Sequence, residues 1–185
     1  CHLHTHLDGA RIWHAIVGSS HDSKTWAAPF DTVSACFSKG LGCPAGSILV
    51  GTKDTIHLAR RFRKMFGGTM RQTGILAGAA QYALDNHVER LAEDHANATN
   101  LANSLNQIDG ISCDVDATDT NLVFFDVDRS LGDGPSLCRK LWNKGILAES
   151  LDPQRIRFVT HIDVSSSDIE RAIQVTVDIC NHESN

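Results

Sequence analysis

One lysine and one aspartate are the residues best suited to chemistry, and each is followed directly by glycine. Lys39 lies in "SKGLG", after the alternating segment 33–37, and Asp8 opens the run "DGAR" that ends with Arg11. A lysine amine forms a Schiff base with a carbonyl group. A carboxylate can keep a pyridine nitrogen protonated, which makes the ring an electron sink. Together the two residues supply the pair of groups that pyridoxal phosphate requires.

The residues around Lys39 suit the same cofactor. The glycines that follow it let the backbone approach a bulky ligand closely, and Ser38 could donate a hydrogen bond to a phosphate group. Taken singly, a lysine beside glycine is most often a solvated loop residue, and "DGAR" is most often a turn. The position of both motifs at the ends of neighbouring predicted strands favours the cofactor over these simpler interpretations.

The spacing of apolar residues predicts strands that alternate with helices. The predicted strands end near residue 8 and span 33–37, 46–51, 121–127 and 155–161, and the predicted helices span 10–17, 55–66, 70–85, 88–107, 134–145 and 165–181. Such alternation indicates an α/β fold. In that fold, chemistry lies beyond the carboxyl ends of the strands, and Asp8 and Lys39 both fall there. We expect a domain boundary inside the long helix, near Arg90.

Composition excludes several classes of protein. The 185 residues suffice for one large domain or two small ones. A formal charge of -5 argues against a general nucleic-acid binder, which needs a basic face. No apolar run is long enough to cross a membrane. The six cysteines are scattered and form no CxxC pair, so we interpret them as reduced thiols of a cytoplasmic protein.

Three histidines near the start of the chain raise the question of a metal site. His2, His4 and His6 in "HLHTH" would share one face of a strand. No cysteine, aspartate or glutamate is clearly placed to complete a coordination shell. We therefore interpret them as exposed histidines of an edge strand and expect no metal.

Four longer motifs resemble those of a known enzyme family. The motifs "HLDGARIWHA", "FSKGLGCPAGSILVG", "RRFRKMFGGTMRQTGILAGAAQYAL" and "IRFVTHIDVS" are similar to those of the low-specificity threonine aldolases, which are fold-type I pyridoxal phosphate enzymes. The resemblance covers nearly the whole chain. It implies a large, mostly parallel-sheet domain, here residues 1–90, and a small C-terminal α/β domain, residues 91–185. It also implies retro-aldol cleavage of L-threonine, L-allo-threonine or related β-hydroxy-α-amino acids to glycine and an aldehyde.

The same resemblance implies roles for individual residues. Lys39 would form the Schiff base with pyridoxal phosphate, and Asp8 would pair with the pyridine nitrogen. Arg11 and Arg157 would bind the substrate carboxylate. Arg155 lies two residues before Arg157 on the same face of the predicted strand, so it is the alternative to Arg157.

An oligomer with shared sites is also implied. The resemblance predicts a homotetramer built as a dimer of dimers, in which Lys64 and Arg71 reach the cofactor phosphate of the neighbouring subunit. Both residues could instead belong to a solvated helical face. Arg71 is the stronger candidate for an anion site, because it follows the pair Gly67 and Gly68 and precedes a predicted helix, whose N-terminal end favours negative charge.

The family's upstream half does not appear in this sequence. That half carries the phosphate-binding glycine/threonine loop and the histidine that stacks on the pyridine ring. We therefore expect the C-terminal part of a longer enzyme, and the missing half would lie on a separate chain if the enzyme is split. Two alternatives stay open. One is another fold-type I lyase that eliminates a β-substituent, and the other is an inactive fragment.

Overall fold

A computed structural model describes residues 3–183. The chain divides into two compact units, Cys1–Leu91 and Ala92–Asn185. The first unit contains β1 (His6–Gly9), α1 (Ile12–Gly18), α2 (Ser23–Ala27), β2 (Thr32–Cys36), β3 (Ser47–Gly51), α3 (Lys53–Met65) and α4 (Gly74–Asn86). The helix α5 (Leu91–Leu105) begins at the division. The second unit then contains β4 (Ile111–Cys113), β5 (Leu122–Val127), α6 (Gly134–Asn143), β6 (Glu149–Ser150), β7 (Arg155–Val159) and α7 (Ser166–Glu183).

The sheet of the first unit has the order β1-β2-β3. Strands β1 and β2 run parallel, with Asp8 opposite Ser34, and α1 and α2 lie between them in the chain. Strand β3 pairs antiparallel with β2, because the loop 37–46 returns directly to β2 without the helical crossover that a parallel pair needs.

Apolar side chains of the first unit pack around β2 and the loop that follows it. Val33 and Ala35 are buried with Ile12 of α1. Leu41 of the loop is fully buried and packs with Ala83 of α4. The alternating pattern of β2 therefore buries one face of the strand, as a period of two residues requires.

The second unit is built on an antiparallel sheet of order β4-β5-β7-β6. Its inner face and the helices enclose one apolar core, which includes the stacked rings of Phe125 and Phe158 at 5.5 Å. Val123, Leu141 and Ile156 are fully buried there. Alternate residues of β7 leave this core, so Arg155 and Arg157 lie on the opposite face from Ile156 and Phe158.

The predicted elements are confirmed in kind, and several boundaries move. The helix predicted from residue 70 begins at Gly74, and the long helix predicted from residue 88 begins at Leu91. Helix α2 and strands β4 and β6 were not predicted, because segments of two to five residues carry too little periodicity. No helix within residues 3–183 has the length and apolarity that a membrane span requires.

Candidate active site

Asp8 and Lys39 lie at the same edge of the first sheet. Asp8 is the third residue of β1, and Lys39 follows β2 by three residues. Because β1 and β2 are parallel, their carboxyl ends meet at one edge. Both side chains are exposed there, as is that of Ser38. An amine, a carboxylate and a hydroxyl at one edge form a donor set that fits pyridoxal phosphate.

The loop that carries Lys39 is closed by its own backbone. The Gly42 N–H donates to the Lys39 carbonyl at 2.9 Å, and the Cys43 N–H donates to the Phe37 carbonyl at 3.0 Å. Gly42 has φ 71, a left-handed conformation that side chains other than glycine rarely adopt. The turn after Lys39 therefore depends on glycine at this position.

Three ring side chains hold this loop from within the unit. Trp13 of α1 donates its Nε1–H to the Cys36 carbonyl at 3.1 Å, and His14 lies against Gly40. Nδ1 of His87, which follows α4, is 2.8 Å from the Leu41 carbonyl oxygen. Sequence reasoning missed all three contacts. Trp13 and His14 do occur within "HLDGARIWHA", but spacing alone does not show which backbone a ring side chain meets.

The other three candidate cationic residues of the first unit lie in the β1–α1 connection and around the turn between α3 and α4. Arg11 is half-buried and is the residue before α1, so it lies in the same β1–α1 connection as Asp8. Asp8 Oδ1 accepts a hydrogen bond from the Ala10 N–H at 3.1 Å, which shapes that connection. Lys64 lies in the last turn of α3, and Arg71 lies in the turn before α4; both are exposed.

In the second unit, the structure distinguishes the two candidate arginines. Arg157 lines a cavity of about 530 Å³, its Nη2 contacts the Glu149 carboxylate, and its Nε is buried with no hydrogen-bond partner. Arg155 does not line the cavity. Its guanidinium is 3.6 Å from Asp126 and lies over the ring of Phe124 at 5.7 Å. Arg157 is thus the one with an unsatisfied donor beside a cavity.

The cavity beside Arg157 is mostly apolar. Its walls include Leu147, Val164 and Ile169. Asp168 also lines it at the start of α7, where the Ser165 hydroxyl donates a hydrogen bond at 2.6 Å and lowers the pKa of that carboxyl group. Sequence reasoning did not identify Glu149 as the neighbour of Arg157. Their pairing across β6 and β7 depends on strand register.

The histidines near the start of the chain make local contacts. His4 Nδ1 is 3.5 Å from the Asp31 carboxylate, and His6 Nδ1 is 2.8 Å from the Thr32 hydroxyl. His2 lies outside the described residues. Over residues 3–183, no three histidine, cysteine or acidic side chains are grouped so that they could hold a metal ion. Asp31 also accepts from the Thr5 N–H at 2.7 Å, which lowers the pKa of its carboxyl group.

Proteins of known sequence are similar to this chain. The chain is 41% identical over 170 residues to a probable low-specificity L-threonine aldolase 2 of Arabidopsis thaliana, covering 91% of this chain and 48% of the relative. It is 44% identical over 163 residues to a low specificity L-threonine aldolase of Escherichia coli O157:H7, covering 88% and 47%. The chain therefore spans about half the length of the curated relatives it matches.

Solved structures agree in fold at lower identity. A putative L-allo-threonine aldolase from Listeria monocytogenes EGD-E matches with a TM-score of 0.75 at 23% identity, covering 96% of this chain and 51% of that one. A putative aromatic amino acid beta-eliminating lyase/threonine aldolase from Exiguobacterium sp. 255-15 matches with a TM-score of 0.77 at 20% identity, covering 94% and 52%.

The fold shared with these solved structures defines the class of protein. The chain has the fold of the C-terminal part of a fold-type I pyridoxal phosphate enzyme. The family model for beta-eliminating lyases matches residues 2–128. The chain belongs to this beta-eliminating lyase family.

Proposed function

We propose that the protein is a pyridoxal phosphate-dependent aldehyde-lyase, a threonine aldolase. Its substrates are L-threonine, L-allo-threonine or related β-hydroxy-α-amino acids, and its products are glycine and an aldehyde. The observation that carries the proposal is the position of Lys39 and Asp8 at one edge of a parallel strand pair. The identity of 41–44% to relatives named threonine aldolases supports it.

The chain's own residues divide the chemistry among them. Lys39 would hold the cofactor covalently through its amine. Asp8 would accept a hydrogen bond from the protonated pyridine nitrogen, and Ser38 would donate one to the phosphate. When bound, pyridoxal phosphate supplies an electron sink for the carbon–carbon bond that breaks.

Arg11 and Arg157 bind and orient the substrate carboxylate. Two guanidinium groups fix direction as well as charge, because each can form paired hydrogen bonds to a carboxylate. The buried, unpartnered Nε of Arg157 supports its role over that of Arg155. We place residues 1–90 in the large cofactor-binding domain and 91–185 in the small C-terminal domain.

We further propose a cytoplasmic homotetramer, a dimer of dimers with shared active sites. Lys64 and Arg71 would bind the cofactor phosphate of a neighbouring subunit. Large apolar side chains at the end of α3 support association, because they are exposed in this chain: Met65 is 66% exposed and Phe66 is 84% exposed. Met65 and Phe66 are neighbours in the chain, and exposed apolar side chains that lie together are found at protein interfaces.

The direct test is Lys39→Ala in the complete protein with pyridoxal phosphate. We expect the Schiff-base absorbance band to disappear and aldol cleavage to fall by several orders of magnitude, because no other group takes the lysine's place. Lys24→Ala, which removes an exposed lysine of α2, is the matched control and should behave as wild type. A band of undiminished intensity in Lys39→Ala would refute the assignment.

A second candidate function is β-elimination, since the family model carries that description. Product analysis separates the two reactions. An aldolase releases glycine and an aldehyde, whereas a β-eliminating lyase releases ammonia and a keto acid. Ammonia formed from a β-hydroxy-α-amino acid, without glycine, would favour the second reaction over the first.

A further inference from the structure

The loop that carries Lys39 is held by side chains that have no part in the proposed chemistry. Trp13 donates to the Cys36 carbonyl at 3.1 Å on one side of Lys39, and His87 Nδ1 is 2.8 Å from the Leu41 carbonyl oxygen on the other. His14 lies between these two contacts, against Gly40. The backbone is thus held both before and after the lysine.

His14 and Gly40 interlock closely. A Cβ placed at Gly40 would lie 2.0 Å from Cε1 of the His14 ring, and 2.8 Å and 2.9 Å from its two nitrogens. Real Cβ atoms essentially never approach other atoms within 3.0 Å. His14 is 1% exposed, and Gly40 is also buried. A side chain at position 40 would therefore force the ring or the backbone beside Lys39 to move.

We propose that His14 is a positioning residue for Lys39. Its ring sets the position of the Gly40 backbone, and through it the Cα from which the flexible lysine side chain extends. This matters because a catalytic group that is misplaced by about 1 Å loses much of its effect. Helix α1 also begins directly after Arg11, so one short helix fixes the Lys39 loop relative to the connection that carries Asp8. The inference rests on the proposed function, in which Lys39 binds the cofactor.

A double-mutant cycle tests the interlock in the complete protein. The measured quantity is the dissociation constant of pyridoxal phosphate, read from the Schiff-base absorbance band. Gly40→Ala alone should weaken binding by about tenfold or more, because overpacking displaces the loop. His14→Ala combined with Gly40→Ala should lose clearly less than the two single variants lose together, since the added methyl group then meets no ring. This non-additivity is the signature of direct contact.

Controls separate positioning from mere packing. His21→Ala, which removes an exposed histidine of the same unit, should bind cofactor as wild type does. His14→Ala alone should weaken cofactor binding and lower kcat with KM little changed, because the backbone that carries Lys39 loses its support. A variant that is less stable to heat but unchanged in both readouts would show that His14 only packs. If His14→Ala does not fold, His14→Asn takes its place in the cycle.

Two further outcomes would overturn the inference. Gly40→Ala could bind cofactor as tightly as wild type, or the two single losses could simply add in the double variant. Failure of the proposed function gives different results. Wild type itself then shows no Schiff-base band, or Lys39→Ala retains the band, and the positioning role of His14 fails together with the proposed function.

Discussion

Replacement of Arg157 should reduce catalysis far more than replacement of Arg155. Arg157 already contacts the Glu149 carboxylate, and its side chain is 28% exposed beside the cavity. A hydrogen bond to a charged group contributes about 1.5–3 kcal/mol. Two such bonds to the substrate carboxylate would give about 3–6 kcal/mol, and we take the lower end because Glu149 competes for the guanidinium. Arg157→Ala should therefore lower kcat/KM by about a hundredfold.

Arg155 is the matched control on the same face of β7. Its side chain is 48% exposed, and its ion pair with Asp126 spans 3.6 Å. Exposed pairs of this kind contribute only about 0–1 kcal/mol. Arg155→Ala should therefore stay within about threefold of wild-type kcat/KM. Arg157→Lys tests geometry separately, because lysine keeps the charge but not the planar fork of donors.

Steady-state cleavage of L-threonine or L-allo-threonine, followed through the released aldehyde, measures these effects. Circular dichroism confirms that each variant is folded. The reasoning is refuted if Arg157→Ala keeps wild-type kcat/KM. If Arg155→Ala instead shows the hundredfold loss, Arg155 and not Arg157 binds the substrate carboxylate.

Three further predictions follow from the first unit. Asp8→Ala should retain cofactor but turn over slowly, because a neutral pyridine accepts less negative charge; full turnover would make Asp8 a turn residue only. When inactive Lys39→Ala and Arg71→Ala subunits are mixed and exchange, each mixed dimer has one site that carries neither change, so activity should recover to about a quarter of wild type. No recovery, with exchange confirmed by native mass spectrometry, would mean that Arg71 serves its own subunit. The pKa of Asp31 is lowered by the Thr5 N–H, so the ionised carboxylate stabilises the fold above the unfolded pKa, and this stabilisation is lost as pH falls through the folded pKa. The difference in unfolding free energy between wild type and Asp31→Asn, measured by denaturant unfolding, should therefore shrink as pH is lowered through this range, and a difference that does not change with pH would contradict this.

The local sequence was enough to predict which segments form helices and strands and which side chains could do the chemistry of the candidate site. Alternating apolar residues predicted β2, and helical spacing predicted α3. These patterns are readable because a strand repeats every two residues and a helix every 3.6. Lys39 and Asp8 were likewise recognisable from their own motifs, since Schiff-base and ring-nitrogen chemistry require those side chains specifically.

Tertiary structure decided how these residues are held. The antiparallel pairing of β3, the contact of His14 with Gly40 and the pairing of Glu149 with Arg157 join residues that are distant in the sequence. A periodic pattern specifies which face of an element is buried, but not which other element covers it or in what register. Those choices come from packing and backbone pairing of the whole unit. For that reason the sequence could identify Lys39 as a candidate, and only the structure shows that the His14 ring lies against the glycine that follows it.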